Sequence, residues 1–554
     1  MLTVIAQTDT YGVLNLTFVI LYVDIVSFLM HISINSFLLS QLKKRGERMA
    51  DYDVVVVGGG VGGLTAAALC QYAGMKTLVL EQSDRIGGCC STFKTKKGFS
   101  FDLGASVVEV PHAFEEIFKR IGKKRSDYID FMAVDPIYDY CDLSRGIRFN
   151  TPVSLEGTAE ILGQFSKEDA KAFLDFAKIY TPQIKELVEN FFYSPCQSFS
   201  DAISMLIKFP GILKALPLFA TTHQKIVAKW FKHPDILCSM AFQAFYAGLP
   251  PDLCAGLYAV VGLLEHQGIY YPKGGMIAIP KGIQKAFEDM GGKVKMKQRV
   301  VRIMVENGHA HGVELWDGTQ ITAKNVVTNI NAIRVYKDLI GRKHIPWYVW
   351  RGLNTMELSM PCPMIYLGVD YTPPLQAHHT LTLTNPDVMN SYWSDYYLKN
   401  EIYNVGGRNE VMGLISWASH MDPSLAPKGH HVLTHMGLAP YNVAGNNWDR
   451  YKEQYIDDAI DTIERYMIPD LREHVVFRDM MTPVDLEREL LHPGGAVYGI
   501  QTDLSHMAMF RPANRSKCIK NLYLCGASTH PGGGVPTVIA GGIITGDLVV
   551  GDNA

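Results

Sequence analysis

Residues 53–81, DVVVVGGGVGGLTAAALCQYAGMKTLVLE, decide the fold of this chain. The apolar run Val54 to Val57 feeds directly into Gly58, Gly60 and Gly63. A small-residue stretch, Leu64 to Ala73, follows, and a second apolar run ends in Glu81. The order predicts strand, glycine turn, helix, strand, acid. Gly58 allows the tight turn, Gly60 lets backbone approach a pyrophosphate, and Gly63 lets the helix pack closely on the strand. The helix start offers free N–H groups and a partial positive charge to phosphate. Glu81 stands where an acid can accept a ribose hydroxyl. A lone GxGxxG is a common turn; with both strands, the helix and the acid it specifies a dinucleotide site.

A chain of 554 residues is too long for one core and calls for two or more domains. Its 47% hydrophobic and 19% charged residues are a globular composition. A net charge of −3 gives no support for a nucleic-acid surface. The ten cysteines are scattered, except for the neighbours Cys89 and Cys90, and no pair has zinc spacing. This points to a reducing compartment. Cys89 and Cys90 follow Gly88 and are expected near the cofactor, as small packing residues in preference to redox groups.

The first fifty residues differ from the rest. Val13 to Ser40 is strongly apolar, and Lys43, Lys44 and Arg45 follow. The length suffices for a membrane span with its basic flank on the cytoplasmic side. It fits equally an upstream extension before a start at Met49. Ser200 to Trp230 is rich in Leu, Ile, Phe and Ala, is broken by Pro210 and Pro217, and carries Lys208, Lys214, Lys225 and Lys229. An apolar face beside lysines suits a membrane interface; a buried helix pair with snorkelling lysines is the alternative. The expected localisation is membrane-associated with a cytoplasmic catalytic domain.

Along the chain, 51–112 reads as the first part of the cofactor domain and 113–272 as a mostly helical region, with helical spacing in Ala159–Phe176 and Tyr180–Phe192. Short strands at Lys293–Met296, Val300–Glu306, Ala310–Leu315 and Asn325–Thr328 make 273–335 a second part of the cofactor domain. Residues 336–490 mix strands (Met364–Val369, Val411–Trp417, His431–Leu438) with a helix at Trp448–Arg465. The tail, 491–554, returns with a strand at Asn521–Cys525, then GASTHPGGGVP, then a small-residue helix from Thr537 to Val549. The fold class is therefore α/β: a Rossmann-type cofactor domain in at least three pieces, with an inserted mixed α+β substrate domain.

Three glycine sites point to one cofactor. Beyond Gly58, Gly60 and Gly63 there is Arg85-Ile86-Gly87-Gly88, where an arginine and paired glycines permit charge-assisted contact with phosphate. The third is Gly526 with Gly532 to Val535, ahead of the last helix, whose free N–H groups could face the flavin edge that gains negative charge on reduction. A nicotinamide enzyme needs only the first. All three together argue for FAD, an extended molecule held at both ends.

The chain resembles the bacterial-type phytoene desaturase, carotenoid isomerase and retinol saturase family of flavoproteins. The resemblance covers roughly residues 51–550. It rests on DVVVVGGGVGGLTAA, EQSDRIGGCCSTF, FDLGAS at 101–106, YPKGGMIAIPKGI at 271–283 and WASHMDPSLAPKGHHVL at 417–433, then on TPVDLERELLHPGGAVYG at 482–499 and FRPANRSKCIKNLYLCGASTHPGGGVPTVIAGG at 510–542. It implies a glutathione-reductase or amine-oxidase-like architecture. It also implies that Gly60, Gly63, Glu81, Arg85, Gly88, Val300, Gly526 and Val535 touch FAD, with Gly58, Gln82, Gly87, Val301, Gly534 and Pro536 completing the set. The implied substrate is a long isoprenoid polyene in an apolar tunnel. Desaturation passes a hydride from a CH2 to flavin N5; saturation is the reverse, and isomerisation has no net redox change. GGCCxTF resembles the saturase branch and THPGGGVP the desaturase branch, which leaves the direction open.

No acid or base is assignable from sequence. His530 beside the flavin motif is a weak catalytic candidate, with a structural histidine the commoner role. Arg511 could anchor a loop or the cofactor, and Tyr498 could line the pocket or pack. His430 and His431 are neighbours whose side chains should diverge on a strand, which disfavours a metal. Two other functions compete: an amine oxidase, disfavoured by apolar pocket residues, and a prenyl-binding escort on the same fold, disfavoured by the intact segment Gly526–Pro536.

Overall fold

The computed structural model describes residues 50–554, apart from 144–145, 384–385 and 444–446. The apolar segment at Val13–Ser40 lies outside the described residues. The strand Tyr52–Val57 sits inside a seven-stranded sheet, with Thr77–Leu80 on one side and Gln320–Thr328 on the other, both parallel to it. Val54 to Val57 are almost wholly buried, as a strand covered on both faces requires. Lys293–Lys295 extends the sheet beyond Thr77–Leu80, and Leu522–Leu524 pairs with Gln320–Thr328 in parallel. The meander Val300–Glu306, His309–Leu315 completes it. Strands from both ends and the middle of the chain thus build one sheet.

The second seven-stranded sheet holds, in order, Val475–Met481, Met364–Val369, His431–Gly437, Gly413–Ser416, His379–Leu383, Tyr138–Asp142 and Arg148–Thr151. Two of these strands come from the stretch expected to be mostly helical. Tyr138–Asp142 is buried at all five positions, so it has no polar–apolar alternation to betray it. Its Asp139 is wholly buried and paired with Arg148 of the adjoining strand at 2.5 Å. The helical run expected at Ala159–Phe176 is broken in two. Ser166 accepts a hydrogen bond from the Asp169 N–H and starts the helix Lys167–Glu186 afresh after Leu155–Gly163 ends.

The first helix, Val61–Tyr72, and the last, Val535–Asp552, lie against one another. Gly542 and Gly546 face the first helix. A Cβ on Gly542 would stand 2.5 Å from the Gly62 carbonyl oxygen, and one on Gly546 would stand 2.9 Å from Leu69 Cβ. Val535–Asp552 is long and apolar enough to cross a membrane, but half of it is buried here against the core. The contact sets both helix starts on the same side of the sheet, beside one cavity.

Candidate active site

A cavity of about 340 Å³ opens at the carboxyl end of the strand Tyr52–Val57, where ligands of open α/β sheets bind. Gly58 ends the strand with φ +96° and donates its N–H to the Leu80 carbonyl at 2.8 Å. Gly60 has no room for a side chain: a Cβ would stand 2.2 Å from Asn329 Nδ2. A Cβ on Gly63 would stand 2.4 Å from the Gly58 carbonyl oxygen, so Gly63 acts through helix–strand packing and is not part of the cavity wall. The helix behind it starts at Gly60 without a side-chain cap, leaving first-turn N–H groups free to meet an anion.

Glu81 is 9% exposed and rigidly held: Oε2 accepts the Gly59 N–H and Oε1 the Ser83 N–H, each at 2.8 Å. A carboxylate has further lone pairs for hydroxyl groups in the cavity. Gln82 is on the wall and donates through Nε2 to the Glu489 carbonyl at 3.0 Å. Arg85 is also on the wall and makes no ion pair among the described residues, so its charge is available to a phosphate. Gly87, at φ +103°, donates to the Gly59 carbonyl at 2.9 Å, and Gly88 lines the wall beside it. Val300 lines the cavity from the meander. Val301 does not: successive strand residues face opposite ways, and its side chain is exposed.

At the other end of the chain, Gly526, Gly534, Val535 and Pro536 line the same cavity. The last helix begins at Gly534, φ +112°, again with no side-chain cap. Two uncapped helix starts, an unpaired arginine and a fixed acid all face one space. These are the groups needed for a pyrophosphate, a ribose and a flavin ring that becomes anionic, so the residues fit FAD.

Asn329, unsuspected from sequence, clasps the two ends together. Its side chain fills the space left by Gly60 and Gly62, and Cys525 Sγ donates to its Oδ1 at 3.6 Å. Arg511 anchors loops, not the cofactor. Fully buried, it donates to the carbonyls of Ile500, Gln501, His506, Ala527 and Thr529 at 2.7–3.3 Å. Tyr498 lines the cavity, as do Leu486 and His492, which lie in the TPVDLERELLHPGGAVYG stretch but were given no role from sequence. Cys89 and Cys90 also line it. Cys89 Sγ lies 3.2 Å from His492 Nε2, but burial pushes the thiol up to about 12 and the imidazole down to about 4, so both are neutral.

His530 is not at the site. It is 2% exposed and turned away from the cavity, its ring 5.1 Å from that of Phe191 at 87°. Burial, then the Arg511 charge, pushes it down to about 4, which keeps it neutral. With no place on the cavity wall, its catalytic candidacy is withdrawn. His430 and His431 diverge: His430 meets the Phe99 ring, while His431 Nδ1 accepts from Trp417 Nε1 at 3.2 Å.

Beyond the glycine loops the wall changes character. Leu103 comes from the FDLGAS segment and Val107 directly follows it, while Met364, Leu414 and Met436 come from the second sheet. The cofactor loops therefore open onto an apolar chamber.

The family described as flavin containing amine oxidoreductase matches residues 61–550. This chain belongs to that family. It is an FAD-dependent oxidoreductase with the amine-oxidase fold. It is similar to a phytoene desaturase (lycopene-forming) of Pantoea ananas, 30% identical over 505 residues, 90% of this chain and 99% of that protein. It is also similar to a 4,4'-diaponeurosporene oxygenase of Staphylococcus aureus, 27% identical over 88% of this chain and 96% of that one. Among solved structures, putrescine oxidase bound to putrescine is 14% identical with a TM-score of 0.57, covering 91% of this chain and 98% of that one. That similarity concerns the fold alone.

Proposed function

We propose that this chain is a carotenoid-type desaturase, introducing C=C bonds into a long isoprenoid polyene. The observation that carries this is the change in the cavity wall from glycine loops to Leu103, Val107, Met364, Leu414 and Met436 within one continuous space. Such a lining holds a hydrocarbon chain and offers little to a polar amine. When bound, FAD supplies two-electron redox chemistry at its N5. The protein orients and encloses: Glu81 and the first helix start hold one end of the cofactor, the last helix start holds the other, and the apolar wall excludes water from the reacting carbon. The relatives named as desaturases support the substrate class.

The substrate is a membrane-dissolved molecule, and the surface carries a face suited to meet it there. On the helix Phe199–Lys208, Phe199, Ile203 and Ile207 recur at four-residue spacing on one exposed side, Ile207 being 77% exposed. Leu213 and Leu216 are also exposed just beyond the turn that follows, and Lys208 and Lys214 stand near them in the chain. We assign this face to the membrane interface. The test of function is expression in a host that makes acyclic carotenoid precursors, read by pigment spectrum and product mass. A red-shifted pigment lighter by pairs of hydrogens supports desaturation; unchanged precursor contradicts it, and a heavier product assigns saturation.

A further inference from the structure

A second, smaller void follows the apolar end of the chamber along the strands of the second sheet. It measures about 10 Å³, and Gly248, Met360, Met389, Tyr392, Met412 and Leu438 are among its walls, all of them buried. The only polar side-chain group on the lining is the Tyr392 hydroxyl, which donates to the Leu438 carbonyl at 3.4 Å. An apolar space of that size stays dry.

The walls of this void continue those of the chamber. Leu414 and Met436 are paired across neighbouring strands and line the chamber. Met412 and Leu438 are the next same-face positions on those strands, about 7 Å further along. The Leu438 N–H donates to the Met412 carbonyl at 3.3 Å, so the ladder runs on past the strand ends. The facing is borne out by packing: Met412, Leu414, Met436 and Leu438 share one hydrophobic core, while Val411, Ile415 and Leu433 belong to another. On the third strand Met364 pairs with Met436 at the chamber, and Met360, four residues earlier, lines the void. Gly248 touches both spaces. A Cβ there would stand 3.3 Å from Cδ2 of Tyr498, a chamber residue, and 3.4 Å from the main-chain N of Met360. Met389 and Tyr392, three residues apart on the helix Pro386–Asp395, share a helix face and complete the lining.

Methionine dominates where the two spaces meet, with Met364 and Met436 on the chamber side and Met360, Met389 and Met412 on the far side. Unbranched thioether side chains re-pack readily around an apolar guest. The FAD-binding loops wall one part of the cavity, so a long hydrocarbon has only the apolar end along which to extend. We propose that this void is the terminal subsite of the substrate channel, taking the methyl-branched hydrocarbon end of the chain as the methionines turn aside, and that Met360, Met389 and Met412 set the chain length admitted. This rests on the polyene reading above. The Leu414–Met436 pair marks where the chain passes from chamber to subsite. Tyr392, tied to the Leu438 carbonyl, is the floor on which it stops.

The test gives the flavin-loaded wild type, Met412→Ala and Met412→Phe two acyclic polyene precursors that differ in chain length. The readout is the ratio of kcat/KM for the longer precursor to that for the shorter. Met412→Ala enlarges the subsite and raises the ratio by about tenfold or more, the range in which an apolar pocket discriminates chain length. Met412→Phe fills it and lowers the ratio by a similar factor. Flavin content is unchanged in both, since Met412 is not on the cofactor cavity. Met389→Phe fills the same void from its helix and carries this arm should Met412→Phe not retain flavin. A ratio that stays within a few-fold of wild type in the flavin-loaded variants, whether or not both rates fall together, overturns the subsite and leaves the polyene reading standing. A wild type that converts neither precursor overturns the polyene reading, and the subsite with it.

Discussion

Gly542 of the last helix touches the backbone of Gly62 in the first: a Cβ on Gly542 would stand 2.5 Å from the Gly62 carbonyl oxygen and 2.7 Å from Thr65 Cβ. The obstructing oxygen is main chain and cannot rotate away. A larger residue must separate two helices whose starts both face the cofactor cavity. Gly542→Val is expected to lose about 1–3 kcal/mol of stability or more through overpacking and to purify with much less flavin. Thermal unfolding and the flavin-to-protein absorbance ratio read the two effects. Full flavin content would mean the contact does not position the helices.

Arg511 is expected to be indispensable for a reason unrelated to catalysis. Its guanidinium satisfies five main-chain carbonyls from the segments Ile500–His506 and Ala527–Thr529. Arg511→Met orphans them and is expected to cost about 3–5 kcal/mol. Lysine carries the charge but cannot present a planar fork of donors, so Arg511→Lys recovers little. Denaturant unfolding of the two variants checks this; a fully rescued lysine variant would reduce the role of Arg511 to its charge.

Acid is expected to destabilise the protein from about pH 6.5 downward. His223, His378, His435, His492 and His530 are each pushed down from 6.5 to about 4, chiefly by burial. A histidine whose folded value is lowered binds its proton in the unfolded chain first. Between about pH 6.5 and 4 the unfolded state therefore holds more protons, and stability falls as pH falls, by about 1.4 kcal/mol per pH unit for each such group. His530→Gln should remove about one proton from the uptake measured on unfolding at pH 5. An unchanged uptake would place its titration elsewhere.

The exposed apolar face predicts a separation of binding from chemistry. Ile203→Glu with Ile207→Glu puts two charges on it without touching the cavity. Flotation with lipid vesicles should fall sharply, while flavin content and turnover of detergent-dispersed substrate persist. Undiminished flotation would remove this face from the account.

Much of the cofactor site was legible in the sequence because its rules are local. The turn at Gly58, the close approaches at Gly60 and Gly63 and the acid at Glu81 follow from spacing, and the structure gives each a geometric cause. Strand alternation separates Val300 from Val301, a distinction the resemblance alone did not make. His530 was misleading because adjacency in sequence to a cofactor loop does not fix which way a side chain turns. Asn329 carries no local pattern, and Leu486 and His492 lie in a quoted stretch that did not say which of its residues face the cofactor; long-range packing brings all three to the wall. The strand Tyr138–Asp142 escaped because a fully buried strand has no alternation.

The central claim is that glycine loops from opposite ends of the chain hold one FAD against an apolar chamber, and flavin stoichiometry tests it most directly. A Cβ on Gly60 would stand 2.2 Å from Asn329 Nδ2, and Gly534 adopts φ +112° at the start of the last helix. Purified wild type is expected to be yellow with one flavin per chain, and Gly60→Val and Gly534→Val are each expected to be colourless while retaining the circular dichroism of a folded protein. A folded variant at either end that keeps its full flavin would contradict the account.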